Sequence, residues 1–322
     1  VIIGGVVVTI IFFIINWVGI KTVSIIQNIL FLFMVAGIAI YILLGLPHMN
    51  PEYIAMGSPL GLKGVWKGAS LLIFAYAGLT LAADLGEEAK DPARTITWGI
   101  ILGISIPTVL YVVSAFVSTA VLPWEEFAGA EAPFAAVAAK YMGTFGVTFI
   151  ILVAFAAILS SHNAEQTVGT RILFGTSRDK LLPKPLMAIN KFGVPSNSLI
   201  LTAGMTIFLI ISGTIQLVAE VVVFMFLFNW IITHVGVIMA PRTQPDLYEK
   251  APLKLNGWKA VIPWFGIIVS VGLLITQGPK ALLYSLVWLA IGSVFYIVGY
   301  KSKKEEIDKL MSEWPRDRYL DE

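Results

Sequence analysis

The feature that most constrains this chain is a succession of apolar runs, each suited in length to crossing a lipid bilayer. A helix needs about 20 mostly apolar residues to span the hydrocarbon core. We predict nine spans, at residues 1–18, 22–46, 66–85, 96–122, 144–176, 198–213, 215–240, 260–277 and 280–300. The sequence therefore predicts an all-α protein, a polytopic membrane helix bundle of about nine spans.

The charge content excludes an ordinary soluble protein. Charged residues make up 13% of the chain, against about a quarter in soluble domains. Cysteine is absent from the sequence, which excludes disulfides and thiolate metal sites. We find no nucleophile–base signature, phosphate loop or metal-ligand cluster, so neither an enzyme nor an ATP-driven pump is expected. No cofactor is predicted other than a coupling ion, and no nucleic-acid partner.

The basic residues predict the orientation. With the loop at Gly19–Lys21 placed in the cytoplasm, the cytoplasmic segments hold 18 of the 22 lysines and arginines and the outer segments hold 4. Cytoplasmic loops carry an excess of these residues. We therefore predict a multi-pass protein of the plasma membrane, in contact with the lipid bilayer, with a cytoplasmic C-terminus.

The connecting segments and termini give further expectations. Residues 47–65 are rich in Pro and Gly and are expected to be irregular. Residues 123–142 include a short Ala-rich helix, which is interpreted either as an outer lid or as a connector. The run 144–176 is too long for one straight span, so its last third is expected to protrude. Val1 already lies in an apolar run, and the simplest interpretation is that the sequence begins within a longer protein.

Two motifs resemble the amino acid–polyamine–organocation (APC) permease superfamily. The first resembles the family's sixth helix and following loop through Phe74, Tyr76, Gly78, Leu79, Glu87, Glu88, Ala89, Asp91, Pro92, Arg94 and Ile96. The second resembles its eighth helix and cytoplasmic loop through Ser160–Ala164, Arg171 and Ser177–Lys184. Gly19–Lys21, followed by Gln27 and Asn28, is similar to the entry of the fifth helix.

The resemblance implies the leucine-transporter type of fold, in which two five-helix inverted repeats hold the substrate between two broken helices. The nine spans then correspond to family helices four to twelve, in one transmembrane permease domain. Its parts are the end of the first repeat (1–46), a complete second repeat (66–240), two additional helices (260–300) and a cytoplasmic tail (301–322). The family's first broken helix has no counterpart in these residues.

The implied function is ion-coupled secondary transport of an amino acid or related small amine by alternating access. Two alternatives stay open. One is a truncated membrane component that does not transport, and the other is a symporter of the same fold for another solute, such as a nucleobase. The oligomeric state is also left open.

The first candidate site is a weak point within the third span. A broken helix leaves carbonyl and N–H groups without partners, and these groups can bind the two ends of a zwitterion. The predicted substrate-binding residues are Phe74, Ala75, Tyr76, Ala77, Gly78 and Thr80. The alternative is a plain span whose small residues allow close helix packing. Thr80 stands where many family members have a carboxylate, which argues against a cationic substrate.

The second candidate site is for Na⁺ as coupling ion. Ala157, Ser160 and Ser161 are spaced i, i+3 and i+4, so they share one helix face. One carbonyl and two hydroxyls there supply oxygen ligands of the kind that sodium-coupled relatives use. Alternatively, the serine hydroxyls bond back to their own helix.

Ionisable residues provide two more candidates. His162 and Glu165, at i and i+3 in a span, are a candidate proton relay. An inner gate formed by ion pairing is predicted from five residues, which are Glu87, Glu88, Asp91, Arg94 and Arg171. The competing interpretation of this second set is a solvated loop.

Overall fold

The computed structural model describes residues 2–55, 60–72, 75, 76, 78, 91–251, 254–275 and 278–313. These residues are almost entirely helical. The helices are α1 Ile2–Trp17, α2 Ile20–Gly45, α3 Pro51–Ala55, α4 Gly61–Leu72, α5 Pro92–Val121, α6 Trp124–Gly129, α7 Pro133–Arg178, α8 Ser196–Ser212, α9 Ile215–Thr243, α10 Pro245–Lys250, α11 Val261–Ile275 and α12 Pro279–Glu313. Within the described ranges, five helical segments are long and apolar enough to cross a membrane. The predicted all-α polytopic bundle is confirmed.

The described part of segment 47–65 differs from its prediction, because it contains α3 and the start of α4 instead of irregular chain. Pro51 occupies the first helical position, where its missing N–H costs nothing. The Asn50 side chain accepts a hydrogen bond from the Glu52 N–H at 3.0 Å. The Asn50 N–H donates to the Ala120 carbonyl at 2.7 Å, which fastens this segment to the end of α5.

An antiparallel pair, α2 and α7, forms the centre of the bundle, with α1, α5 and α8 packed around it. The two helices approach closely because Gly37 of α2 lies directly against Val153 of α7. Small residues serve this purpose in membrane bundles, where packing replaces the hydrophobic driving force. A second group is formed by α9, α11 and α12, in which Leu227 and Leu273 are buried.

Two tyrosines pack where the C-terminal end of α2 meets the start of α7. The hydroxyls of Tyr41 and Ser118 are 2.6 Å apart, and the Tyr141 hydroxyl donates to the Tyr41 carbonyl at 2.8 Å. Val137 and Ala138, in the first part of α7, are fully buried beneath them. This packing favours the connector interpretation of the Ala-rich outer helix, because a lid that opened would have to expose these side chains.

A kink at Gly143 divides α7 into the Ala-rich helix and the long helix that follows. Gly143 has φ 60° and ψ −150°, a backbone conformation that is almost restricted to glycine. We expect Gly143→Ala to lower the free energy of unfolding by about 1–2 kcal/mol. Space does not limit the substitution, since an added Cβ would meet no atom within 4 Å.

Thermal unfolding in detergent measures this effect, with Gly175→Ala as the matched control. Gly175 lies in the same helix, has equal room and has no positive φ. Its replacement should be neutral or slightly stabilising, because alanine favours helix more than glycine does. Equal changes in the two variants would show that the kink stores no backbone strain.

Candidate functional site

The predicted substrate half-site lies just beyond the end of α4 at Leu72. Ala75, Tyr76 and Gly78 are described, whereas Phe74, Ala77 and Thr80 lie outside the described residues. The Ala75 carbonyl accepts a hydrogen bond from the Tyr111 hydroxyl of α5 at 3.5 Å. A backbone carbonyl of the predicted weak point therefore bonds to a neighbouring helix.

The Tyr76 side chain also contacts α5. Its hydroxyl lies 2.9 Å from Oγ1 of Thr108, and its ring meets the Tyr111 ring edge to face with centroids 5.6 Å apart. Thr108 donates its own proton to the Ile104 carbonyl at 2.7 Å, so the Tyr76 hydroxyl is the donor of the pair. The Tyr76 oxygen consequently keeps lone pairs that can accept a hydrogen bond from a ligand.

Sequence reasoning did not identify Thr108 and Tyr111 as site residues. Their signal is two hydroxyls at i and i+3, immediately after Pro107 in the middle of a predicted span. That spacing places both on one helix face. Which face of α5 meets the weak point depends on the packing of two helices, which the spacing does not specify.

A second polar region is a buried network that joins α1, α2 and α7. Asn163 donates to Oε1 of Gln27 at 2.9 Å, and Gln27 donates to Oγ of Ser160 at 2.7 Å. Asn16 donates to Oδ1 of Asn163 at 3.3 Å, and its own Oδ1 accepts from Thr167 at 2.7 Å. Three helices are therefore linked by side chains that satisfy one another.

This network bears on the predicted Na⁺ site. Ser160 is buried and its oxygen already accepts the Gln27 amide, whereas Ser161 is exposed and Ala157 is half-buried. The two hydroxyls thus have different surroundings. For Na⁺ to bind, Ser160 would have to use its remaining lone pair. The ion site stays a prediction.

No hydrogen bond joins the two residues of the predicted proton relay within the described part of the chain. The His162 ring is half-buried against Phe12 of α1, with ring centroids 5.6 Å apart. Its buried Nε2 has no hydrogen-bond partner within the described part of the chain. Glu165 is exposed and forms no hydrogen bond with His162 there. A relay through this pair stays a prediction.

The described part of the predicted gate shows two separate environments. Asp91 caps α5 by accepting the Arg94 N–H at 3.1 Å. Arg171 lies in a small cleft between α1, α2, α7 and α8, together with Asn16 and Thr170. Glu87 and Glu88 lie outside the described residues. The Asp91 carboxylate therefore has a structural role, and ion-pair gating stays a prediction.

The second motif ends α7 in a defined way. Lys180 has φ 64°, the left-handed conformation that glycine favours. The Lys180 N–H donates to the Ser177 carbonyl at 3.0 Å, and the Leu181 N–H donates to the Thr176 carbonyl at 3.1 Å, as in a Schellman cap. A lysine therefore occupies the position in this Schellman cap that glycine usually takes.

These observations first define a class of protein, which is a multi-pass helical membrane protein. The amino acid permease family model matches residues 1–300. The chain belongs to the amino acid permease family, as the superfamily resemblance predicted.

Individual relatives are similar at lower identity. A branched-chain amino acid permease, BcaP, from Bacillus subtilis (strain 168) is 28% identical over 91% of this chain and 62% of its own length. A methylthioribose transporter from the same organism is 27% identical over 90% of this chain and 62% of its own length. A D-serine/D-alanine/glycine transporter from Escherichia coli (strain K12) is 26% identical over 77% of this chain and 55% of its own length. The chain thus spans less than two thirds of the length of these relatives.

Proposed function

We propose that this chain forms part of a secondary transporter for an amino acid or a related small amine, and that it includes the whole second repeat. The contact that carries the proposal is the one between α5 and the weak point, where Tyr111 bonds to the Ala75 carbonyl. The Ala75 carbonyl therefore lies beside the Tyr111 hydroxyl oxygen, which can itself accept a hydrogen bond. Such acceptors suit the ammonium group of a zwitterion.

Alternating access is the mechanism that this arrangement supports best. α5 would move together with the weak point, because the Tyr76–Thr108 and Tyr111–Ala75 contacts both join α5 to the segment after α4. Substrate binding would favour the state in which these hydrogen bonds are completed, since a ligand shifts an equilibrium only through differential affinity. The proposed driving force is an Na⁺ or H⁺ gradient across a plasma membrane, with the C-terminus in the cytoplasm.

A second candidate is transport of a solute other than an amino acid. One relative of similar identity is a methylthioribose transporter, a name that specifies no amino acid. The described half-site offers hydroxyl and carbonyl groups, which can also bind hydroxyl-bearing solutes.

Uptake into proteoliposomes tests both candidates, with the protein expressed at its full natural length. Branched-chain, aromatic and small amino acids should compete with a labelled amino acid for uptake, and methylthioribose should not compete with it. Applying Na⁺ and pH gradients separately identifies the coupling ion. Methylthioribose uptake with no competing amino acid would favour the second candidate, and no uptake of either class would overturn both.

The Tyr111 contact gives a sharper prediction within the same assay. We expect Tyr111→Phe to raise KM by about fivefold to tenfold, because a net hydrogen bond contributes about 1 kcal/mol. Tyr284→Phe is the control, since Tyr284 is exposed on α12. An unchanged KM in Tyr111→Phe would remove α5 from the proposed substrate site.

A further inference from the structure

The Asn190 side chain fixes the second half of the loop between α7 and α8, which comprises residues 179–195. Oδ1 of Asn190 accepts hydrogen bonds from the N–H groups of Phe192 at 2.9 Å and Val194 at 3.0 Å. Its Nδ2 donates to the Trp17 carbonyl at 3.0 Å, at the end of α1. The loop is therefore folded on itself and fastened below α1.

Hydrogen bonds from the two flanking helices fix the rest of the loop. Ser177 donates to the Pro183 carbonyl at 2.6 Å, near the end of α7. At the start of α8, Ser198 donates to the Leu186 carbonyl and Asn197 to the Pro185 carbonyl, each at 2.8 Å. A loop constrained at both ends can present a preformed surface at little entropic cost.

The surface that this loop presents is apolar, although it lies at the end of the bundle. Ile189 is 58% exposed and Phe192 is 46% exposed. The neighbouring end of α1 exposes Val18, which continues a stripe of exposed apolar side chains along that helix. The stripe consists of Ile3, Val7, Ile14 and Val18. The Asn190 contact with Trp17 places the loop at the end of this exposed apolar stripe.

Exposed lysines lie within the loop and near the start of α2, and no acidic residue is close to them in the sequence. Lys184 and Lys191 are exposed in the loop, and Lys21 is exposed at the start of α2. The Lys191 Nζ lies 5.1 Å from the centroid of the Phe192 ring. The chain has no acidic residue before Glu52 and none between Asp179 and Glu220. Asp179 itself lies 3.9 Å from Nε of Arg178.

We propose that this surface binds the headgroup of an anionic phospholipid in the leaflet that the basic residues assign to the cytoplasm. Lys184, Lys191 and Lys21 contact the phosphate, while Phe192 and Ile189 enter the boundary between headgroups and acyl chains. Aromatic rings and lysine stems are suited to that depth. The excess of basic residues in cytoplasmic loops explains by itself why lysines lie at this end of the bundle. It does not explain why a rigid loop exposes apolar side chains beside those lysines. The site is separate from the proposed substrate site.

Lipid retention in native mass spectrometry tests the proposal. The protein is placed in nanodiscs of phosphatidylcholine with roughly a quarter phosphatidylglycerol. Phosphatidylglycerol is the anionic lipid, and anionic lipid attracts basic segments. We expect preferential retention of phosphatidylglycerol, and about thirtyfold weaker retention in the Lys184→Gln/Lys191→Gln double variant. Each lysine near an anionic surface contributes about fivefold.

Two matched variants make the result specific. Lys254→Gln/Lys259→Gln removes two exposed lysines from the same side but outside the loop, and it should retain the lipid. Lys184→Arg/Lys191→Arg keeps the charge and should also retain it. Equal retention in the Gln loop variant and the wild type would overturn the proposal, as would equal losses in both Gln variants. A dimer or a bound protein that only the Gln loop variant releases would identify a protein partner and also overturn it.

Discussion

Replacing Asn163 with leucine is expected to lower the free energy of unfolding by about 2–4 kcal/mol. Asn163 is fully buried and contacts Asn16 of α1 and Gln27 of α2. It also donates to the Val23 carbonyl at 3.4 Å. Hydrogen bonds between membrane helices contribute about 0.6 kcal/mol each on average. The larger part of the loss therefore comes from the buried amides that leucine leaves without partners.

Thermal unfolding in detergent measures this loss, and a double-mutant cycle assigns it. Adding Gln27→Met to Asn163→Leu should recover part of the stability, because the orphaned amide is removed with its partner. Ser161→Ala is the control, since Ser161 is exposed on the same helix. A loss below about 0.5 kcal/mol, the usual range of surface substitutions, would show that the network does not hold the three helices together.

Replacing Gly37 with alanine is expected to cost about 2–3 kcal/mol, in the upper range for overpacked cores. An added Cβ would overlap Cγ2 of Val153 and lie 3.0 Å from its Cγ1. Valine cannot easily move aside, because a branched side chain in a helix has one strongly preferred rotamer. The strain would therefore be relieved by separating α2 from α7, which are the central pair of the bundle.

The matched controls are glycines with free space around them. Gly99 and Gly103 of α5 have no atom within 4 Å of an added Cβ, so their replacement should be neutral or slightly stabilising. Val153→Ala combined with Gly37→Ala should restore part of the lost stability, because it removes the overlapping methyl groups. If the double variant is no more stable than Gly37→Ala alone, contact with Val153 is not the cause.

Both substitutions act on the helix pair that also carries the predicted ion ligands. Ser160 lies one helical turn from Asn163 and bonds to Gln27. Any movement of α2 against α7 would therefore change the surroundings of Ser160. In a transporter of the proposed kind, stability and ion coupling would share this interface, and loss of the network should weaken both.

Much of the secondary structure could be predicted from the sequence, because lipid leaves backbone groups few ways to be satisfied. The predicted spans 22–46 and 198–213 agree with α2 and α8 to within a few residues. The prediction failed at residues 47–65, where Pro and Gly content indicated irregular chain. There, the Asn50 side chain caps α3 and the Asn50 N–H bonds to the end of α5.

The candidate site shows the limit of motif reasoning. The motif identified Ser160 and Ser161 together because their spacing places them on one helix face. The structure buries Ser160 against α2 and leaves Ser161 exposed, since adjacent residues lie about 100° apart around a helix. The Ala75–Tyr111 contact joins residues far apart in the chain, and spacing along one helix carries no information about such a pair.

The sequence by itself determined the membrane class, the approximate bounds of several spans and the family. These properties follow from the lengths of the apolar runs and from local motifs, because each of them depends on residues close together in the chain. Only the tertiary structure decided that Asn16, Gln27 and Asn163 join into one network and that Tyr111 meets Ala75. It also decided that Asn190 fastens its loop beneath α1. Such contacts arise from the rotation and register of packed helices, which depend on how whole side-chain surfaces fit together.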